Sequence, residues 1–463
     1  MGRKIKTFFG SFSGLNRAIT GKGLRSELIR DGIGSLVFKF SDVLLSFLVT
    51  VTLARALGAN GYGVYAYVYA LVSLIVIPAE FGLPNLLVRE TAKFFAKQEW
   101  GMIQGVWRWA GRITAILAAI MILGAGVAVV IWGDQFSREQ LLTMIFGLAL
   151  APLVALGELR GAALRGLHRV LQGQLPEQVI LPGFFFLFVL GASLILPKGS
   201  VTPPMAMALQ VTAAALAFII GAWLLWRATP LEVRNAKAVY DGRRWLASTV
   251  PLAFIGGMQF INRRISILIL GVFVDSAQVG IFRVADQMSL LIALGLQAMN
   301  VVVAPQFARL YAIGDKDRLQ KLTTTSARVV LTLTLLVTVV FLLFGKPLLN
   351  LVFGAEFVPA YTPLSILAIG QLVSSITGSV GVLLNMTGHE RDTARGLTIA
   401  AISNVILNLI LIPKFSVNGA ALAISITWTI WNVLLWLAVR RRLNINSTAF
   451  NLFIIKKHKK TSP

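Results

Sequence analysis

The sequence predicts an all-α integral membrane protein of about twelve transmembrane helices. They are expected to form two six-helix lobes, related by a pseudo-two-fold axis along the membrane normal, around a central cavity. Composition, the length of the apolar runs and a repeat of motifs between the halves carry this expectation. Of 463 residues, 56% are apolar and only 13% charged, against roughly 25% charged in an average soluble protein. The mean hydropathy is +0.77. A water-soluble globule would lack the charges to cover its surface, so a bilayer is the natural solvent.

A hydrocarbon core of about 30 Å takes about 20 helical residues. On that ruler the first six spans lie near 33–57, 62–83, 107–132, 140–159, 178–197 and 204–226. The second six lie near 246–271, 278–302, 327–345, 360–385, 396–413 and 418–439. The first run is longer than the 7–15 or so residues of a signal-peptide core, so it is read as a retained span. Pro182 is expected to interrupt the fifth span and Pro197 to end it. Pro78, Pro152, Pro251 and Pro305 also fall within or at the ends of spans, where each removes a backbone hydrogen bond and favours a kink. Gly157 and Gly161 are spaced for close helix packing.

The charges are lopsided, with 43 Lys and Arg against 19 Asp and Glu, a formal +24. Such an excess suits nucleic acid or an anionic membrane surface. No basic–aromatic RNA motif, finger or basic zipper is present, so nucleic acid is not an expected partner, whereas membrane lipids are. Orientation follows from where the basic residues fall. Most lie in the two tails and the even-numbered connections, with Arg89, Lys93 and Lys97 in one and Arg160, Arg165 and Arg169 in another. Arg55, Arg138, Lys198, Lys346 and Lys414 mark the opposite side. Both termini are therefore expected in the cytoplasm of a multi-pass protein. The expected organisation is a basic N-terminal segment (1–32), an N-lobe (33–226), a linker (227–245), a C-lobe (246–439) and a basic tail (440–463). Trp107, Trp109, Trp132, Trp223, Trp226 and Trp245 sit at span ends, as interfacial anchors do.

The connections are too short for a catalytic or nucleotide-binding domain, and no phosphate-binding Gly-x4-Gly-Lys-[Ser/Thr] loop occurs. There are no cysteines, and His168, His389 and His458 lack metal-ligand spacing. No enzyme activity, metal or cofactor is expected.

Motifs repeat between the halves, as expected of a parallel repeat. Leu57-Gly58, followed by Gly61-Tyr62-Gly63, is answered by Leu270-Gly271, followed by Val279-Gly280-Ile281-Phe282. Leu196-Pro197-Lys198 is answered by Ile412-Pro413-Lys414, and Gly166-Leu167-His168-Arg169, more weakly, by Thr387-Gly388-His389-Glu390.

The chain resembles the polysaccharide-biosynthesis, O-antigen-type flippases of the multidrug/oligosaccharidyl-lipid/polysaccharide exporter superfamily. The resemblance rests on Leu53-Ala54-Arg55-Ala56-Leu57-Gly58 with Gly61-Tyr62-Gly63, on Phe81-Gly82-Leu83-Pro84 with Arg89-Glu90, and on Asn385-Met386-Thr387-Gly388-His389. It covers about residues 25–440. It implies a two-lobed transporter moving a lipid-linked oligosaccharide across the bacterial inner membrane for surface polysaccharide biosynthesis, with a glycan polymerase and chain-length machinery as partners.

Charge within the spans is costly, so it should line a cavity or find a partner. Lys39 and Asp42, and Arg283 and Asp286, are each three apart on one helical face and close enough to pair. Arg263 and Arg264 lie mid-span, flanked by Gln259 and Asn262, without a carboxylate at helical spacing. Lys39, Arg263, Arg264 and Arg283 suit a diphosphate, whose oxygens match guanidinium forks. Gln259, Asn262 and Gln287 add amide hydrogen bonders, and Tyr62, Tyr65, Tyr67 and Tyr69 supply aromatic faces for sugars or anchors for the interface. Asp42, Asp286 and Glu80 are either charge partners or sites for a coupling proton or sodium ion. Two further functions are alternatives: a multidrug or organic-cation exporter, better served by buried carboxylates, and a glycan polymerase or ligase, which ordinarily needs a large outer loop.

Overall fold

A computed structural model describes residues 24–197 and 199–450, and every regular element among them is helical. The basic residues from Arg3 to Lys22, together with Lys198, His458 and the lysines of the tail, lie outside the described residues. The first half holds α1 (Leu24–Glu80), α2 (Leu83–Ala96), α3 (Trp100–Trp132), α4 (Arg138–Gly166), α5 (Val170–Leu175), α6 (Leu181–Ile195) and α7 (Pro203–Ala228). The short α8 (Leu231–Asn235) precedes α9 (Gly242–Phe273), α10 (Ser276–Ala312), α11 (Lys316–Phe353), α12 (Tyr361–Ser375), α13 (Val380–Met386) and α14 (Glu390–Leu443).

Ten helical stretches among the described residues are long and apolar enough to cross a membrane. Two are too long for one crossing. Straight, the 54 residues of α14 would measure about 80 Å, against a core of about 30 Å. Both α1 and α14 are broken midway, at Gly58 (φ 66°, ψ −179°) and at Ser416 (φ 54°, ψ −130°). The break at Ser416 is a reversal: a Cβ on Gly419 would lie 2.1 Å from the carbonyl oxygen of Leu411, an approach that a straight helix rising 1.5 Å per residue does not permit. With α1 and α14 each contributing two passes, the chain is a multi-pass membrane protein with the expected dozen spans.

The fifth span differs in detail from the expectation. Pro182 does not end the helix, which runs from Val170 to Ile195, but its missing N–H removes an intrahelical bond to the preceding turn. The irregularity lies just before, in a π-turn at Pro176–Ile180 that joins α5 to α6. The tenth span is divided: α12 stops at Ser375, Gly378 takes φ 66°, and α13 resumes at Val380. The carbonyl of Ile376, freed by the break, accepts from the Ala449 amide at 2.9 Å, which meets the demand that backbone groups at a helix break find partners.

The chain divides into two compact units, one of Met1–Leu57 with Leu71–Gly256, the other of Gly58–Ala70 with Gly257–Pro463. Each is held by small residues, as expected where lipid removes most of the hydrophobic drive between helices and close approach must supply the stability. In the first, α4 packs on α7 through buried Ala155, Ala162, Ala214, Ala217 and Gly221. In the second, α12 packs on α14, with buried Ala368 and Gly370 beside Ala421 and Ser425.

The repeat is visible in matching contacts. Gln104 donates to the carbonyl of Arg234, shortly after α7, and Gln320 donates to that of Asn446, shortly after α14. His168 meets Phe95 edge to face at 6.1 Å, and His389 meets Tyr311 likewise at 6.4 Å. Within the second unit, a Cβ on Gly63 would lie 1.6 Å from the Ser276 carbonyl oxygen, and one on Gly280 would lie 2.3 Å from that of Ala59. The Ala59–Gly63 and Ser276–Gly280 pairs therefore cross reciprocally, each glycine against the other helix's backbone.

Candidate substrate-binding site

The site is built in the second unit on α9, on α10 and on residues 58–70 of α1. Helical spacing places Tyr62, Tyr65 and Tyr69 on one face. Their rings form a ladder, with Tyr62 and Tyr65 stacked at 6.3 Å and Tyr65 and Tyr69 at 6.2 Å. Phe357 closes one end, meeting Tyr62 edge-on at 6.4 Å. At the other end the Arg264 guanidinium sits 5.4 Å above the Tyr69 ring, a cation–π geometry.

Arg283 projects from α10 and binds Asp286, one turn on, at 2.6 Å; the side chains are 18% and 19% exposed. Arg264 is within electrostatic reach of Arg283 and Asp286, and Arg283 within reach of Tyr62 and Tyr69. Asp286 thus pairs with Arg283 alone, with Arg264 within its electrostatic reach, leaving a net positive charge beside an aromatic ladder. Gln287, one residue beyond Asp286, is buried at 2% exposure.

The remaining candidates fall elsewhere. Gln259 and Arg263 are exposed. Asn262 joins α9 to α14, since its Nδ2 donates to the carbonyls of Met258 and Leu397 while its own carbonyl accepts from Asn404. Asn404 is bonded in turn by Asn408 at 2.7 Å. Lys39 and Asp42 belong to the first unit and pair at 2.8 Å on an open face. Glu80, half-buried at the end of α1, lies in the same unit within electrostatic reach of a second carboxylate, Glu158.

Sequence reasoning misses the burial of Glu90, 5% exposed between Arg89 and Lys93, and that of Arg160. Arg160, expected in a basic connection, lies inside α4, because the helix runs on to Gly166 and turns this side chain inward. It is 5% exposed, paired with Glu177 of the π-turn, donates to the carbonyl of Phe218, and stacks on that ring at 5.2 Å. The signal available in the sequence is the Gly157–Gly161 spacing: a Cβ on Gly161 would meet the Gly173 carbonyl oxygen at 2.6 Å, and one on Gly157 would meet Glu177 at 3.2 Å. Those two glycines let the α5–α6 backbone and its carboxylate approach Arg160. Among the described residues no group of His, Asp and Glu is arranged to hold a metal ion.

A family model described as polysaccharide biosynthesis protein matches residues 28–311. The chain belongs to that family. A second model, described as lipid II flippase MurJ, matches residues 179–461. The chain is 25% identical to the probable low-salt glycan biosynthesis flippase Agl15 of Haloferax volcanii, over 88% of this chain and 82% of that protein. It is 25% identical to the capsular polysaccharide biosynthesis protein CapF of Staphylococcus aureus, over 45% and 53% of the two. Among solved structures, an inward-facing multidrug resistance MATE family transporter of the MOP superfamily superposes with TM-score 0.70 at 12% identity, over 89% of this chain and 98% of that one. Lipid II flippase MurJ in an inward closed conformation superposes with TM-score 0.68 at 15% identity, over 89% and 87%. These likenesses establish the two-lobed transporter fold.

Proposed function

We propose that the protein is a flippase that carries a polyprenyl-diphosphate-linked oligosaccharide from the cytoplasmic to the outer leaflet by alternating access, for surface polysaccharide biosynthesis. The supporting observation is the cluster of Arg264 with the Arg283–Asp286 pair, two guanidinium groups and one carboxylate, set at the end of the Tyr62–Tyr65–Tyr69 ladder. A diphosphate presents several acceptor oxygens, which guanidinium forks bind bidentately; of the ladder, Tyr62 and Tyr65 are buried at 2% and 6% exposure and brace the cluster, while Tyr69 is only partly covered. Membership of the polysaccharide biosynthesis family and likeness to a glycan biosynthesis flippase support the same substrate class. The head group would bind this cluster from the cytoplasmic side and be re-exposed outside as the two units rock, while the prenyl chain stays in lipid. Catalysis plays no part in this scheme. The membrane is the bacterial inner membrane, with both termini cytoplasmic, a reading supported by the distribution of basic residues. A glycan polymerase and chain-length machinery would take the delivered lipid.

The test is reconstitution. Vesicles holding the protein and a fluorescent prenyl-diphosphate oligosaccharide are scored for the fraction of glycan accessible to an external lectin over time. Protein-dependent movement is expected, competed by unlabelled lipid-linked glycan. Saturable export of cationic dyes with no glycan movement would instead identify a multidrug exporter, and glycan elongation by the purified protein would identify a polymerase.

A further inference from the structure

The first unit contains a cavity of about 390 Å³ that the transport site does not use. That size falls within the roughly 300–1,000 Å³ of small-molecule sites. Its walls come from α3, α4 and α7, chiefly Trp107, Leu156, Phe218, Leu225 and Trp226, and are overwhelmingly apolar. Arg160 also lines it, but Glu177 already answers that charge. Arg234 of α8 does not line the cavity but stands against its Trp226 wall, stacked over that ring at 4.6 Å and donating to the Trp226 carbonyl. The Arg234 Nε is buried and has no hydrogen-bond acceptor. Arg227, one residue beyond Trp226, stacks over Trp223 at 5.5 Å.

An open apolar cleft walled by a tryptophan, with a guanidinium held flat on that ring, matches a molecule with a hydrocarbon chain and an anionic head. Desolvated donors are costly to leave unmade, and an anionic phosphate is a strong acceptor for arginine. A tryptophan at a span end belongs at head-group depth, which places the mouth beside lipid phosphates. We propose that this cavity is a specific site for an anionic phospholipid, with one acyl chain between α3, α4 and α7 and its phosphate on Arg234. The site would hold the interlobe connector against the first unit, because the same segment is anchored there by Gln104 on the Arg234 carbonyl at 3.1 Å and by the Val239 amide on that of Gly101 at 2.9 Å.

The experiment uses the full chain in vesicles of equal phosphatidylglycerol and phosphatidylcholine, extracted gently and weighed by native mass spectrometry. The wild type is expected to retain phosphatidylglycerol over phosphatidylcholine. Arg234→Gln is expected to reduce that preference at least fivefold. Gly111→Leu enters the cavity from α3, where a Cβ meets nothing within 4 Å, and is expected to lose the retained lipid while keeping the wild-type melting temperature. Ala222→Leu enters from α7 and carries the same expectation should Gly111→Leu fold poorly. Equal retention of the two lipids by the wild type, or undiminished retention in both cavity-filling variants, overturns the proposal. So does displacement of phosphatidylglycerol by substoichiometric polyprenyl phosphate, which would make the cavity a prenyl site.

Discussion

Removing the Arg283–Asp286 pair separates its structural role, holding α10 in place, from the proposed one of presenting charge to a substrate. The groups meet at 2.6 Å with about four-fifths of each side chain buried, at 18% and 19% exposure. Deleting one partner of a buried pair strands the other and typically costs about 3–5 kcal/mol, whereas replacing both with apolar side chains of similar volume is often neutral. The residual exposure here favours the lower figure, about 3 kcal/mol. Arg283→Met and Asp286→Leu should each lower the melting temperature in detergent, and the double variant should recover most of the loss. Flipping, read as lectin-accessible glycan in vesicles, should stay at least tenfold down in the double variant, because a tenfold loss needs only about 1.4 kcal/mol of differential binding. Wild-type flipping by the refolded double variant would refute the assignment of Arg283 to the substrate and leave it a structural residue.

Further expectations follow from single positions. Arg264→Ala should cut flipping at least tenfold at normal membrane levels, with Arg264→Lys intermediate because a point charge lacks the bidentate fork; unchanged initial rates would remove it from the site. Gly58→Ala should destabilise by roughly 1–3 kcal/mol, since φ 66° with ψ −179° is a conformation almost confined to glycine, as thermal unfolding would report. At Gly63, where an added Cβ lies 1.6 Å from a backbone oxygen, Gly63→Ala should force α1 from α10 and sharply reduce folded protein on size exclusion. Glu177→Gln should destabilise more than Arg160→Met. The first leaves Arg160, 5% exposed, as a buried cation that cannot shed its charge, whereas Glu177, 23% exposed, can take up a proton when Arg160 is removed; equal melting temperatures would refute this ordering.

Much of the site is legible in the sequence because intramembrane charge is rare. Arg264, Arg283 and Asp286 stand out against apolar neighbours, and the three-residue spacing already implies a pair. Asn262 has the chemistry of a hydrogen bonder for the substrate, yet its amide reaches the carbonyl of Leu397, a partner far along the chain that no local pattern reveals. Arg160 resembles a loop charge for the opposite reason. Its neighbours look like a connection, and only the carboxylate of Glu177, brought up by the π-turn, makes burial tolerable. The tyrosines are recognisable as a cluster, but whether they form a stacked ladder or separate anchors depends on ring orientation.

By itself the sequence determined the membrane class, the dozen spans, the repeat and the family, because each rests on composition or on spacing along a helix, which 1.5 Å per residue converts directly into length. The tertiary structure decided which charges act together. It placed Arg264 on Tyr69, left Lys39 and Asp42 as an open pair, and folded α14 back at Ser416. The physical reason is reach: a guanidinium acts over a few ångströms, and the groups within that distance come from helices far apart in the chain, such as Tyr69 and Arg264. Only packing brings them there.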